Sequence, residues 1–157
     1  MRLLVLITLS LAYAAQGAVA SERDLRWSRY TNERFGASIE YPTALFPDPA
    51  DLPENGDGAR FSDARTGAVL LVWGSHNSLG QTPYQSICMS GCPGETYKLD
   101  QPGLGVSSGL AEGRIYYEKC LVSGGKSGGF HCFRLEYAPS EKALFDPVVS
   151  RIAKSLR

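Results

Sequence analysis

An α+β domain is the fold class this sequence predicts, a mostly antiparallel sheet sandwiched between helices and tied by two disulfides. Phe35, Ala37, Ile39 and Tyr41 alternate with Gly36, Ser38 and Glu40, the period-two pattern of a half-buried strand. Ala68 to Trp73 (AVLLVW) is apolar on both faces, as expected of a central strand covered above and below. Val148, Val149, Ile152, Ala153 and Leu156 recur at helical spacing and give a final helix one apolar stripe to lay on that sheet.

The first twenty of the 157 residues read as an export signal. Arg2 is a short basic region, Leu3 to Ala15 an apolar run, and Ala18-Val19-Ala20 an A-x-A cleavage site before Ser21. The apolar run is shorter than the roughly 20 residues of a membrane span. Residues 21–157 then form one domain, released into the periplasm or secreted. Losing Arg2 leaves fifteen basic against sixteen acidic side chains, a net charge of −1. Without a basic stripe, nothing points to nucleic acid or an anionic membrane surface as partner.

Trp27 to Pro42 opens this domain with a turn and a strand that Pro42 closes, because proline cannot donate to a ladder. Thr43 to Gly58, dense in proline and glycine, is a crossing loop anchored by Phe46. Arg60–Asp63 and Ala68–Trp73 form a hairpin around Ala64-Arg65-Thr66-Gly67. Thr82 caps a short helix over 83–90, with Pro83 in the first position and Gln85 completing a capping box. Glu95–Leu99, Val106–Ala111, Arg114–Val122 and Phe130–Tyr137 follow as strands. The last helix is predicted to start at Asp146 as N-cap with Pro147 next.

Four cysteines in an exported chain read first as disulfides. If the last hairpin is symmetric about Lys126, Cys120 faces Cys132 and Glu118 faces Arg134 on the same side of the sheet. Cys88 is then left to pair with Cys92.

The aromatic lead-in (Trp27, Tyr30), Asn32, Phe35-Gly36, Tyr41-Pro42 and Glu54-Asn55-Gly56-Asp57-Gly58 resemble the opening of small exported bacterial proteins related to the PsbP-like α/β/α sandwich superfamily. That superfamily includes extrinsic photosystem subunits and a Ran-binding nuclear import factor. The resemblance extends over most of the mature chain and rests on turns and strand patterns, so it implies a fold and action through protein contacts rather than a reaction.

Reactive motifs fare poorly. Cys88 and Cys92 straddle a helix C-terminus, where the dipole disfavours a thiolate, so a structural disulfide is expected rather than a redox pair. A zinc site using Cys120, His131 and Cys132 is weaker still, since adjacent His131 and Cys132 would point to opposite faces of a strand and structural zinc sites want four convergent ligands. Gly125-Lys126-Ser127 lacks the preceding glycine and following helix of a phosphate-binding loop. The Glu54–Gly58 loop lacks EF-hand spacing. No metal, cofactor or catalytic group is assigned.

One polar neighbourhood remains. Centring the first hairpin on Arg65-Thr66 puts Gly58 opposite Trp73, so the loops after each emerge at one end of the sheet. Glu54, Asp57, Trp73, His76 and Asn77 are the candidate binding residues there. The expected function is an exported, non-catalytic accessory or protein-binding module; the alternative is a small periplasmic enzyme or ligand-binding protein using the loops around Asp57 and His76.

Overall fold

The computed structural model describes residues 25–47, 49–123 and 128–157. The predicted export signal and the turn at 124–127 lie outside them. Among the described residues the strands are β1 (Trp27–Thr31), β2 (Ser38–Pro42), β3 (Pro49–Asp51), β4 (Gly58–Ser62), β5 (Val69–His76), β6 (Glu95–Gln101), β7 (Leu104–Ala111), β8 (Arg114–Ser123) and β9 (Gly129–Tyr137). The helices are α1 (Pro83–Ile87) and α2 (Lys142–Ser155), the latter entered through a 3₁₀ turn at Pro139–Glu141. β1 and β2 pair with each other, and the other seven strands form one antiparallel sheet in the order β3-β4-β5-β9-β8-β7-β6.

The predicted registers are present. Cys120 faces Cys132, Glu118 faces Arg134, and Gly58 faces Trp73. Both disulfides, Cys88–Cys92 and Cys120–Cys132, are formed. Two such bonds fit an oxidising compartment.

The expected helical sandwich is not the architecture: the fold is β-rich, with one long helix against one face. On that face α2 buries Phe145, Val148 and Ile152 against Leu70, Phe133 and Leu135. The β1–β2 hairpin extends this cover, with Tyr30 and Tyr41 packed on Phe61. Among the described residues the one helix on the opposite face is α1, a single turn lying over β7 and β8. Gly105 permits its close approach, since a Cβ there would collide with the Tyr84 backbone. β5 is apolar on both faces for a different reason from a second helical layer. Leu70 and Val72 enter the α2 core, whereas Trp73 packs on the other side against Cys120, Phe130 and Cys132. A disulfide cluster and a loop replace the missing helices.

Local boundaries shift as well. Residues 33–35 form a turn and the strand starts at Ser38, while Trp27–Thr31, expected as a lead-in, is a paired strand. Thr82 makes the predicted capping box, but α1 ends at Ile87. Pro147 lies inside α2, whose start at Lys142 precedes the predicted cap. Asp146 instead accepts bonds from the Tyr137 hydroxyl and the Lys142 ammonium.

Candidate functional site

The β4–β5 ladder fixes one end of the sheet. Beyond Gly58 and Trp73 the Gly74 N–H donates to the Asp57 carbonyl at 2.9 Å, so the 54–57 loop and the segment after Gly74 leave the sheet together.

The turn after β1 fills the space between them. Asn32, 3% exposed, accepts from the Phe35 N–H at 2.8 Å and donates to the Gly56 carbonyl at 2.7 Å. Arg34 donates to the Asn55 carbonyl and to Asp57 Oδ1, at 2.7 and 2.6 Å. Phe35 meets His76 edge to face with centroids 5.0 Å apart, and its carbonyl accepts from His131 Nε2 at 2.8 Å. Gly74 belongs to this contact: a Cβ there would collide with the Phe35 ring. One turn thus ties the acidic loop, β5 and β9 into a single polar clamp.

Outside the clamp lies an open cleft of about 580 Å³, which Glu54, Asp57 and Trp73 line. Its apolar wall comes from Leu52, Pro53 and Leu71, with Arg60 at the side. The side chains of Arg60, Leu71 and Trp73 share one sheet face by strand alternation, the face opposite α2. Leu52 is 66% exposed at the mouth. His76 and Asn77 do not line this cleft. His76 is engaged with Phe35, and Asn77 closes its own turn through two bonds to the Gln81 backbone, at 2.9 and 2.8 Å. Asp57 takes bonds from both Arg34 and Asn55.

Sequence reasoning missed Arg60 and Leu71, although the signal was available. The register that pairs Gly58 with Trp73 also pairs Arg60 with Leu71 on the same face. Leu52 and Pro53 carried no such signal, because they sit in a loop whose path depends on the short β3–β4 pairing.

A second polar cluster lies on the same sheet face beneath α1. Glu95 accepts bonds from Ser107 (2.7 Å) and from the Tyr84 hydroxyl (3.1 Å), and Ser107 and Tyr116 share a 3.2 Å hydroxyl contact. Arg134 stacks on Tyr116 and donates to Glu118 and Glu136. Burial pushes the Tyr84 hydroxyl above its ordinary value, reinforced by Glu95. These groups satisfy one another, which suits a fold-specifying network more than a reaction centre. Among the described residues, Cys88, Cys92 and Glu95 converge as metal-type ligands, but their two sulfurs are bonded to each other. No helix of the described residues is long and apolar enough to cross a membrane. No family model matches the chain, and no curated protein matches it.

Proposed function

We propose that the protein is an exported, non-catalytic binding module of the periplasm or extracellular space, and that it takes an apolar side chain of a protein partner in the cleft beside Trp73. The observation that carries this is the pairing of an open apolar floor (Leu71, Trp73, Pro53) with an exposed leucine and charges of both signs at its edge. Binding surfaces combine aromatic anchors with a polar rim in this way. The likeness of Trp27–Gly58 to PsbP-like proteins, with their action through protein contacts, agrees with it. The enzymatic alternative is weaker: Asp57 and His76 are each occupied by a neighbour in the 32–35 turn, Arg34 and Phe35 respectively.

The test is comparative capture from native extracellular or periplasmic extract. Wild type and Leu52→Glu are immobilised at equal load, and captured proteins are quantified. A protein retained by wild type and lost at least about tenfold by Leu52→Glu supports the cleft, since one apolar anchor exchanged for a charge costs on the order of 1.4 kcal/mol or more. Identical capture by both sinks the assignment. The small-ligand alternative would show instead as a change in Trp73 emission, in a Trp27→Phe background, on adding dialysed small molecules from the same extract.

A further inference from the structure

β6 ends the seven-stranded sheet, and among the described residues no strand pairs with its outer edge. Natural sheets usually cover, shorten or charge such an edge, because its free N–H and C=O groups template pairing with another chain. Here seven residues run along the edge, and Tyr97, at 54%, is half-exposed beside it. The regular part of β6 lies between the bulge at 95–97 and Pro102, so it offers Tyr97 to Gln101.

Lys98 alone looks like a guard against pairing. Its relation to Asp100 changes that reading. Both side chains lie on the α1 side, Lys98 over the Tyr84 ring at 3.9 Å and Asp100 accepting from Thr82 at 3.0 Å. Tyr97 and Leu99 point to the other face. An antiparallel pair of identical strands related by a two-fold axis must centre on one residue if like faces are to meet. Centring on Lys98 sets Lys98 against Lys98, and centring on Asp100 sets two carboxylates together. Centring on Leu99 sets leucine against leucine, brings each Lys98 opposite the other copy's Asp100, and lays each Tyr97 beside the other copy's Gln101. In that register the edge is complementary to itself.

We infer that β6 is a homodimerisation edge, on which a second copy of this chain adds its own β6 antiparallel and centred on Leu99, joining two seven-stranded sheets into one. The five-residue ladder is stopped by Pro102 and by the bulge, so it pairs one copy and leaves no free edge there for a third. Lys98 and Asp100 select the register, because every neighbouring alternative opposes like charges. The proposal is independent of the cleft beside Trp73, which lies at the far side of the sheet.

Charge exchange tests it. In sedimentation of the disulfide-intact chain, wild type is expected at twice the monomer mass. Lys98→Asp and Asp100→Lys each place like charges across both contacts, and each should weaken the dimer about tenfold or more. Mixed one to one, the two variants complement each other and should recover a heterodimer; the double exchange Lys98→Asp/Asp100→Lys should recover the homodimer. A chain variant Leu99→Cys gives a second readout that does not depend on the charges. Directly opposed residues in antiparallel strands lie about 4.5–5.5 Å apart at Cα, within disulfide reach, so it should form a covalent dimer under oxidation. A wild type that stays monomeric at every concentration overturns the proposal, as does a dimer that ignores both single exchanges or a mixture that does not reassociate.

Discussion

Glu118 and Arg134 face each other across β8 and β9 with an ion pair of 2.7 Å, and Glu118 is only 5% exposed. Burial, the larger influence, pushes the Glu118 carboxyl above its ordinary value, while Arg134 pulls it partway back. A carboxyl whose folded value is raised holds its proton more tightly in the folded chain than in the unfolded one. Its stabilising contribution is therefore complete below the ordinary value, about 4.5, and is lost as pH rises through the folded value. Measured against Glu118→Gln, wild type should lose relative stability between about pH 4 and about pH 7.5. Urea midpoints at the two pH values decide it. A relative gain on raising the pH would mean that the Arg134 attraction outweighs burial.

The two disulfides should differ in worth. Cys120–Cys132 closes twelve residues and its sulfurs sit in a buried cluster with Phe130, whereas Cys88–Cys92 closes four at a half-exposed helix end. Chain-entropy arguments give about 3 kcal/mol for the first and about 2 kcal/mol for the second. Paired Cys→Ala variants, unfolded by denaturant, should rank in that order, with the buried pair further lowered by the packing it loses. An equal or reversed ranking would show that the Trp73 side of the sheet tolerates the loss.

Asn32→Ala should cost about 1–3 kcal/mol, because it leaves the Phe35 N–H and the Gly56 carbonyl without their buried partner. Arg34→Ala, which breaks an ion pair with both side chains more than a third exposed, should cost less than about 1 kcal/mol. Equilibrium unfolding of the two variants tests whether Asn32 or the ion pair holds the clamp. If Arg34→Ala proves the more damaging, the clamp is electrostatic.

Pro147→Ala is expected to stabilise the chain. Pro147 is exposed in the sixth position of α2, where its missing N–H leaves one helical bond unmade. Against a cost of about 3 kcal/mol for an interior proline stands a gain of about 0.4–1 kcal/mol from stiffening the unfolded chain. The net rise should be about 1–2 kcal/mol once local relaxation around the ring is allowed for, visible as a higher thermal midpoint. A fall would mean that the proline sets a bend α2 needs to follow the sheet.

By itself the sequence determined what depends on short range. Alternation and turn residues fixed the β8–β9 and β4–β5 registers, and with them Cys120 opposite Cys132 and Gly58 opposite Trp73. Thr82, Pro83 and Gln85 fixed the start of α1, since a cap is made by neighbours in the chain. Only the tertiary structure decided what covers each face of the sheet. AVLLVW demands burial on both sides, but burial is indifferent to whether a helix, a disulfide or a loop supplies it, so the helical sandwich did not follow. The same holds for the candidate site. Register carried Glu54, Asp57 and His76 to one end of the sheet, but the clamp arises because Asn32 and Phe35 reach that end from another strand pair. That contact spans more than twenty residues in one direction and ninety-six in the other, as with Phe35 and His131, and no local pattern encodes a distance of that kind.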